Sequence, residues 1–432
     1  MYAYIIECSD GSYYTGWTND LNRRITSHSE GSGAKYTRGR GPVKLVYWEF
    51  YPTKQQAQRR EAEIKKWTRS RKEKQVKGFA ILKGGRDMKK TMKDTIKEME
   101  KLFSIPSPSG FTGKIEEYIE KFLKENSVPY EITNKSAIVA TLRGKNDQEH
   151  RTLSAHLDTL GAMVKEVKSS GRIKFDPIGG YMMHSVEGED CWIHTQDEKI
   201  YTGTILTTKP SVHIHGDAKK IERNVENMEI VIDEKVSSKE DVLKLGINVG
   251  DFIALDPRTK ITKSGFIKSR HIDDKAGVAI LLGTIKHLVS KKIIPEYTTH
   301  FFFSNYEEVG HGASARIPEK TKEFLAIDMG TPGDGQTSTE FDVTICAKDS
   351  TGPYDFSFRK KLIDLGNTHK IPYQVDIFPF YGSDASAALR SGNDFKAGLI
   401  GPGVFASHGY ERTHQDAIEN TLKLVLAYLV SE

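Results

Sequence analysis

From residue 88 onward the apolar positions switch repeatedly between two periods. Ile115, Tyr118, Ile119, Phe122 and Leu123 keep the i, i+3, i+4 spacing of one helix face. SAIVATL, RTLSAHL, THFFFSN and EFLAID are short apolar runs that read as buried strands. GVAILLGTIKHLVSK (277–291) and SDASAAL (383–389) return to the helical period. This alternation predicts an α/β sheet with mostly parallel strands. The segment from about 160 to 265 departs from it: YTGTILTT, SVHIHG, MEIVID and DFIALD read as strands separated by turns, with hardly any helix. It is expected to be a β-rich domain inserted into the α/β one.

The first 80 residues carry their own pattern. YAYIIEC and SYYTGWT flank the turn chemistry of SDGS, predicting a hairpin. A helix at about 20–28, a third strand in VKLVYWEF and a basic helix over QAQRREAEIKKWTRSRKEKQ complete a small α/β unit. A short linker is expected at 81–90, holding Gly84-Gly85. After it, Met88 and KKTMKDTIKEMEKLFSIPSPSG read like the beginning of an independent protein: a charged amphipathic helix, then a turn. The expected organisation is therefore 1–80, a catalytic domain over 91–160 and 265–432, and an insertion at 161–264.

Composition narrows the functional classes. With 37% hydrophobic and 28% charged residues the chain can bury cores. No run approaches the ~18 apolar residues of a membrane span, and MYAYIIECSDG lacks a basic segment followed by an apolar one. A cytoplasmic protein without a membrane partner is expected. Cys8, Cys191 and Cys346 are few and far apart, so they read as reduced thiols. The net charge of +5 is unevenly spread: residues 1–87 hold 18 Lys+Arg against 9 Asp+Glu. Only that first part is suited to meet a polyanion such as DNA.

Metal-competent side chains fall at the strand ends. His156 and Asp158 close RTLSAHLDT, Glu307 and Glu308 follow THFFFSN, and Asp328 follows EFLAI. Ligands in open α/β sheets bind beyond the carboxyl ends of the strands. Asp273 and Asp274 precede the 277–291 helix, and His414 lies in YERTHQDAIENTLKLVLAYL. A pair of divalent ions about 3.5–4 Å apart needs one bridging carboxylate and about two further N/O ligands on each side. The set supplies that count without a thiolate, which suits Zn, Co or Mn.

AHLDTLGAMV, SRHIDDKAGVA, SNYEEVGHGA, AIDMG, KDSTGPYD, FYGSDASAALRSG and SHGYERTH resemble the tetrahedral and glutamyl/deblocking aminopeptidases of family M42, clan MH. The resemblance covers essentially all of 88–432. It implies a clan MH-type sheet with helices on both faces, peptide substrates and a homo-oligomer. It further implies that His156 and Asp328 hold one metal, Glu308 and His414 the other, and that Asp273 bridges them; His408, six residues earlier, is the alternative to His414. Glu307 would be the general base and Asp158 a group orienting His156. The Asp273–Asp274 peptide would be cis. The runs IGGYMMHSVEGE, CAKDSTGPYDF and SHGYERTH look like the branch linked to N-acetylglutaminylglutamine amide systems.

Residues 1–80 resemble the short, single-domain GIY-YIG nucleases. Tyr2-Ala3-Tyr4 stands in for the first motif, without its glycine, and Tyr14-Thr15-Gly16 for the second. Arg24, His28 and Glu61 match the positions that follow. The resemblance implies that Tyr4 or Tyr14 activates water, Arg24 stabilises phosphoryl charge and Glu61 holds a divalent ion, usually Mg. The reading is a metallo-aminopeptidase fused to a nuclease-like domain. The alternative is a nucleic-acid-processing protein whose peptidase part serves mainly as a scaffold.

Overall fold

The computed structural model describes residues 1–82 and 86–432 and separates into two compact units, Met1–Lys90 and essentially Thr91–Val430. In the first unit β1 (Tyr2–Glu7) pairs antiparallel with β2 (Tyr13–Thr18), α1 (Leu21–Ser29) follows, and β3 (Lys44–Phe50) pairs with the other edge of β1. Then come α2 (Lys54–Lys65) and α3 (Arg69–Leu82). The expected single basic helix is thus two. Trp67 breaks it by docking on the core of Ala3, Ile5, Tyr47 and Ile64, with the Arg60 and Arg71 guanidinium groups 5.0 and 4.9 Å from its ring centre. Thr68 Oγ1 then accepts the Arg71 N–H and restarts the helical path. Of the expected linker, 81–82 close α3, 83–85 lie outside the described residues, and 86–90 open α4 (Arg86–Phe103).

The second unit continues with α5 (Gly113–Glu125), β4 (Tyr130–Ile132), β5 (Ile138–Leu142) and β6 (Asn146–His156). The chain then leaves to form a closed barrel: β7 (Gly161–Val167), β8 (Ile173–Ile178), β9 (Asp190–His194), β10 (Ile200–Thr207), β11 (Met228–Ile232), a short helix α6 (Lys239–Lys244) and β12 (Phe252–Leu255). Val164, Phe175, Ile193, Ile205, Ile230 and Ile253 belong to its own apolar core. The run SVHIHG is not a strand. It turns after Pro210, the amides of Ile214 and His215 bond back to the Ser211 carbonyl, and Val212 and Ile214 are exposed. Without a face to bury, the alternation of apolar residues there has nothing to pair against.

After β13 (Lys260–Ile261) and β14 (Phe266–Ser269) the chain re-enters the main body through α7 (Ile272–Ser290), which is buried along almost all of its length. Next are β15 (Tyr297–Ser304), β16 (Thr321–Ile327), β17 (Val343–Asp349), β18 (Gly352–Pro353), α8 (Phe356–His369), β19 (Tyr373–Ile377), α9 (Asp384–Arg390), β20 (Lys396–Pro402), β21 (Glu411–His414) and α10 (Gln415–Leu429). The nine-stranded sheet runs β18-β17-β20-β16-β6-β15-β5-β4, with β19 on β17. The mostly parallel pairing expected holds for the central β20-β16-β6-β15 and for β17-β19, whereas β5, β4, β18 and the β17-β20 junction are antiparallel. The central four therefore end together at one sheet edge. The three cysteines are free and buried. No helix among the described residues is long and apolar enough to cross a membrane.

Candidate active site

Each central strand delivers a functional group at its carboxyl end. His156 is the last residue of β6, Asp328 follows β16, and Glu307 and Glu308 lie in the turn after β15. Asp273 comes from the entry of α7, where the Asp273–Asp274 peptide is cis. Asp274 secures that entry by accepting the His156 N–H at 3.2 Å and the Gly277 N–H at 3.0 Å. The turn after β15 is held by Asp158, whose two carboxylate oxygens accept the N–H groups of Glu307 (3.1 Å) and Glu308 (3.3 Å). A glycine is required at 312: φ is +35°, and a Cβ there would lie 2.3 Å from Asp384 Oδ1 and against Glu307.

The side chains converge as two triads that share one residue. Ligand atoms of His156, Asp273 and Asp328 lie within 4.8 Å of one another, and so do those of Asp273, Glu308 and His408. His156 Nε2 is 3.0 Å from Asp273 Oδ1 and 3.8 Å from Glu307 Oε2. His408 Nε2 is 3.4 Å from Asp273 Oδ2 and 3.6 Å from Glu308 Oε2. His414 belongs to neither triad; His408, the alternative to it, stands in the second. His414 Nε2 bonds the Ser264 carbonyl at 2.8 Å, while its Nδ1 accepts the Asp416 N–H at the start of α10. The strand-end logic that pointed to the other candidates also favours His408, because it lies in the loop beyond β20. Asp158 meets His156 Nδ1 through its backbone carbonyl at 2.8 Å, with its carboxylate 3.8 Å away, and that carboxylate also holds the amides of Glu307 and Glu308.

The electrostatics fit a group of donors arranged for cations. Burial, reinforced by neighbouring acids, pushes Glu307 and Glu308 well above the ordinary carboxylate range and Asp328 up to about 7. Burial would raise Asp273 too, but the His156 and His408 imidazoles more than offset it and hold it low. His408 is driven up to about 10, Asp273 and Glu308 overcoming the burial that opposes it. Glu308 Oε1 and Asp328 Oδ1 are buried without any hydrogen-bond partner. Orphaned buried carboxylate oxygens beside imidazole nitrogens, with no thiolate, are the donor set of a hard or borderline divalent ion. The triads open on a cleft of about 530 Å³ walled by Phe378, Phe380, Tyr381 and Arg390. Glu411, which sequence reading missed, accepts the N–H groups of Asp273 and His408.

The first unit holds a second, smaller constellation. Arg24 Nε donates to Tyr4 Oη (3.2 Å), Tyr4 Oη meets His28 Nε2 (2.7 Å), and His28 Nδ1 meets Thr37 Oγ1 (2.8 Å), which donates to the Ala34 carbonyl. Burial pushes Tyr4 up to about 12 and His28 down to about 4, so both are neutral near pH 7. The Tyr14 ring centre is 5.0 Å from that of His28, and a Cβ on Gly16 would strike Tyr4 Oη, so the second motif needs its glycine. Glu61 on α2 is paired with Lys65 at 2.7 Å, and its charge reaches Tyr4. The four expected residues Tyr4, Tyr14, Arg24 and Glu61 are thus neighbours. Among the described residues, both clusters of metal-competent groups lie in the second unit.

Comparison with known proteins follows this division. The M42 glutamyl aminopeptidase family matches residues 136–424, and the GIY-YIG catalytic domain matches residues 1–75. YhfE of Bacillus subtilis, assigned as an aminopeptidase, is 52% identical over 341 residues, covering 79% of this chain and 99% of YhfE. A UPF0213 protein of Clostridium perfringens is 63% identical over 71 residues, 16% of this chain and 76% of that protein. Among solved structures, an aminopeptidase of the archaeon Desulfurococcus kamchatkensis superposes with a TM-score of 0.71 at 22% identity, over 78% of this chain and 95% of its own. The TET1 peptidase of Pyrococcus horikoshii, which can assemble into a tetrahedron or a large octahedral shell, gives 0.69 at 24% identity, over 78% and 100%. These relationships and the strand-end cluster make the chain a member of the M42 glutamyl aminopeptidase family, a peptidase with a GIY-YIG catalytic domain at its N-terminus.

Proposed function

We propose that residues 91–430 remove N-terminal residues from peptides at a co-catalytic site for two divalent ions, Zn, Co or Mn. The observation that carries this reading is the pair of triads sharing Asp273. His156 and Asp328 would complete one ion's protein ligands, Glu308 and His408 the other's, and Asp273 would serve both. When bound, such ions polarise a carbonyl and lower the pKa of water.

The chain's own groups supply the rest. Glu307, raised by burial and fixed by Asp158, takes the proton of the attacking water and passes it to the departing amine. The acids give the cleft a negative end that suits a free α-ammonium group, and Phe378, Phe380 and Tyr381 offer apolar wall to the substrate's side chains. The family relationship and the TET1 neighbour support a homo-oligomer. Metal analysis of the full chain with a panel of aminoacyl substrates tests the reading. Two ions per chain and exopeptidase activity are expected; activity that survives complete removal of metal would refute it.

A second reading concerns the first unit and rests on the Arg24–Tyr4–His28–Thr37 chain. Neutral His28 accepts the Tyr4 O–H and so turns a lone pair of Tyr4 Oη towards an attacking water, with Arg24 beside the developing charge. Glu61 would hold a Mg ion and the basic surface would track a DNA backbone. Cleavage of branched DNA by the full chain, lost in Glu61→Ala, is expected; equal cleavage by both proteins would remove the nuclease reading.

A further inference from the structure

We infer that Glu411 is a positioning residue for the peptidase centre, locking the backbone of the Asp273 and His408 ligands to each other through its two carboxylate oxygens. The inference rests on the two-metal reading above. Oε2 accepts the Asp273 N–H at 3.1 Å and Oε1 accepts the His408 N–H at 3.0 Å. Glu411 is 1% exposed, so these bonds lie away from competing water. Because each oxygen is engaged by an amide, this acid differs from Glu308 and Asp328, each of which has one oxygen without a hydrogen-bond partner. Its task is to hold ligands, and it is not itself a donor to the ion.

Two further observations explain why a carboxylate stands here. His408 has φ of +60°, a region that non-glycine residues seldom occupy, so its loop must be held there by a partner outside it. The buried hydrogen bond from the His408 N–H to Glu411 supplies that hold. Glu411 itself is anchored by strand pairing: β21 lies antiparallel to β14 with Glu411 opposite Ser269, four residues before Asp273. The acid thus stands where the chain segments carrying the shared ligand and the imidazole of the Glu308 side come together. His156 and Asp328 arrive from the sheet, so the loss of Glu411 should be felt most at the ion of the Glu308 and His408 side and reach the other only through the shared Asp273.

Titration of Zn or Co into the chelator-stripped full chain, followed calorimetrically, separates the outcomes. Wild type is expected to show two binding events. In Glu411→Gln the new NH₂ faces an N–H donor, and in Glu411→Asp the carboxylate keeps its charge but loses reach. Both are expected to weaken one event at least 10-fold and the other by a clearly smaller factor. His408→Ala should remove the same event, and adding Glu411→Gln to it should cause no further loss. Unchanged affinities in both variants would overturn the inference while leaving the two-metal reading intact. Equal weakening of both events would mean a general structural role and would equally overturn it. Fewer than two events in wild type would end the two-metal reading and this inference with it. Glu411→Asp decides the matter if Glu411→Gln does not fold.

Discussion

The two candidate sites of this chain solve opposite problems. In the first unit every polar atom from Arg24 through Tyr4 and His28 to Thr37 hands a hydrogen bond to the next, and the chain terminates on a backbone carbonyl. In the second unit the buried Asp273 and Asp328 crowd against the half-buried Glu307 and Glu308, two carboxylate oxygens have no partner, and the histidines cannot compensate the charge alone. Buried like charges are costly unless counter-charges accompany them. The first site is complete as a hydrogen-bonded unit, whereas the second is complete only with cations. The difference teaches which unit should respond to metal removal and which to pH.

The largest expected effect is catalytic. Glu307→Gln should lower kcat roughly 100- to 10,000-fold, the range for loss of a general base, with both ions still bound. Near wild-type turnover in the metal-loaded variant would break the assignment.

Exchanging the histidines sharpens the ligand set. His408→Ala should lose one ion and at least 100-fold in activity. His414→Ala should keep both ions, act within a few-fold of wild type and lose only about 1 kcal/mol from the cap of α10. The reverse pattern in metal analysis would restore His414 as the ligand.

Stripping the metals should lower the stability of the second unit by about 3 kcal/mol per site when the free ion stood at 100 times its Kd. The first unit should be indifferent. Trp17, Trp48 and Trp67 belong to it and only Trp192 to the other, so tryptophan fluorescence and peptidase inactivation report the two separately. A fluorescence transition that shifts with chelator as much as inactivation does would erase the contrast.

The smallest effect is on pH. His28 is neutral when folded, its pKa pushed down to about 4 by burial, against an ordinary 6.5. The unfolded chain therefore takes up this proton first as pH falls. The contribution is full above about 6.5 and is lost towards about 4, at most about 3 kcal/mol. His28→Asn should flatten the acid side of the fluorescence-detected stability curve; an unchanged slope would show that His28 is not its origin.

Much of this was legible in the residues because strand-end chemistry depends on local pattern. RTLSAH and EFLAI declare buried strands, and the groups that follow them emerge at the same edge once the central strands are parallel. The meeting of Asp273 with His408 was half legible. Asp273 precedes a strongly apolar helix, but His408 sits in an irregular loop whose geometry is set by Glu411 and by pairing with β14, contacts that no spacing reveals. Trp67 shows the same limit: the basic segment reads as one helix until tertiary docking of a single ring divides it. SVHIHG fails in the other direction, since alternation predicts a strand only where a partner strand and a core exist to use it.

The position of the barrel has a kinetic consequence. His156 and Asp273 touch across a sequence separation of 117 residues, and the barrel occupies most of that interval. Closing so long a flexible loop is entropically expensive and slow compared with local contacts. A barrel that folds first on its own core shortens the loop to the few residues on either side of it. Assembly of the metal ligands then becomes a late step in refolding, so peptidase activity should return after the barrel's structure.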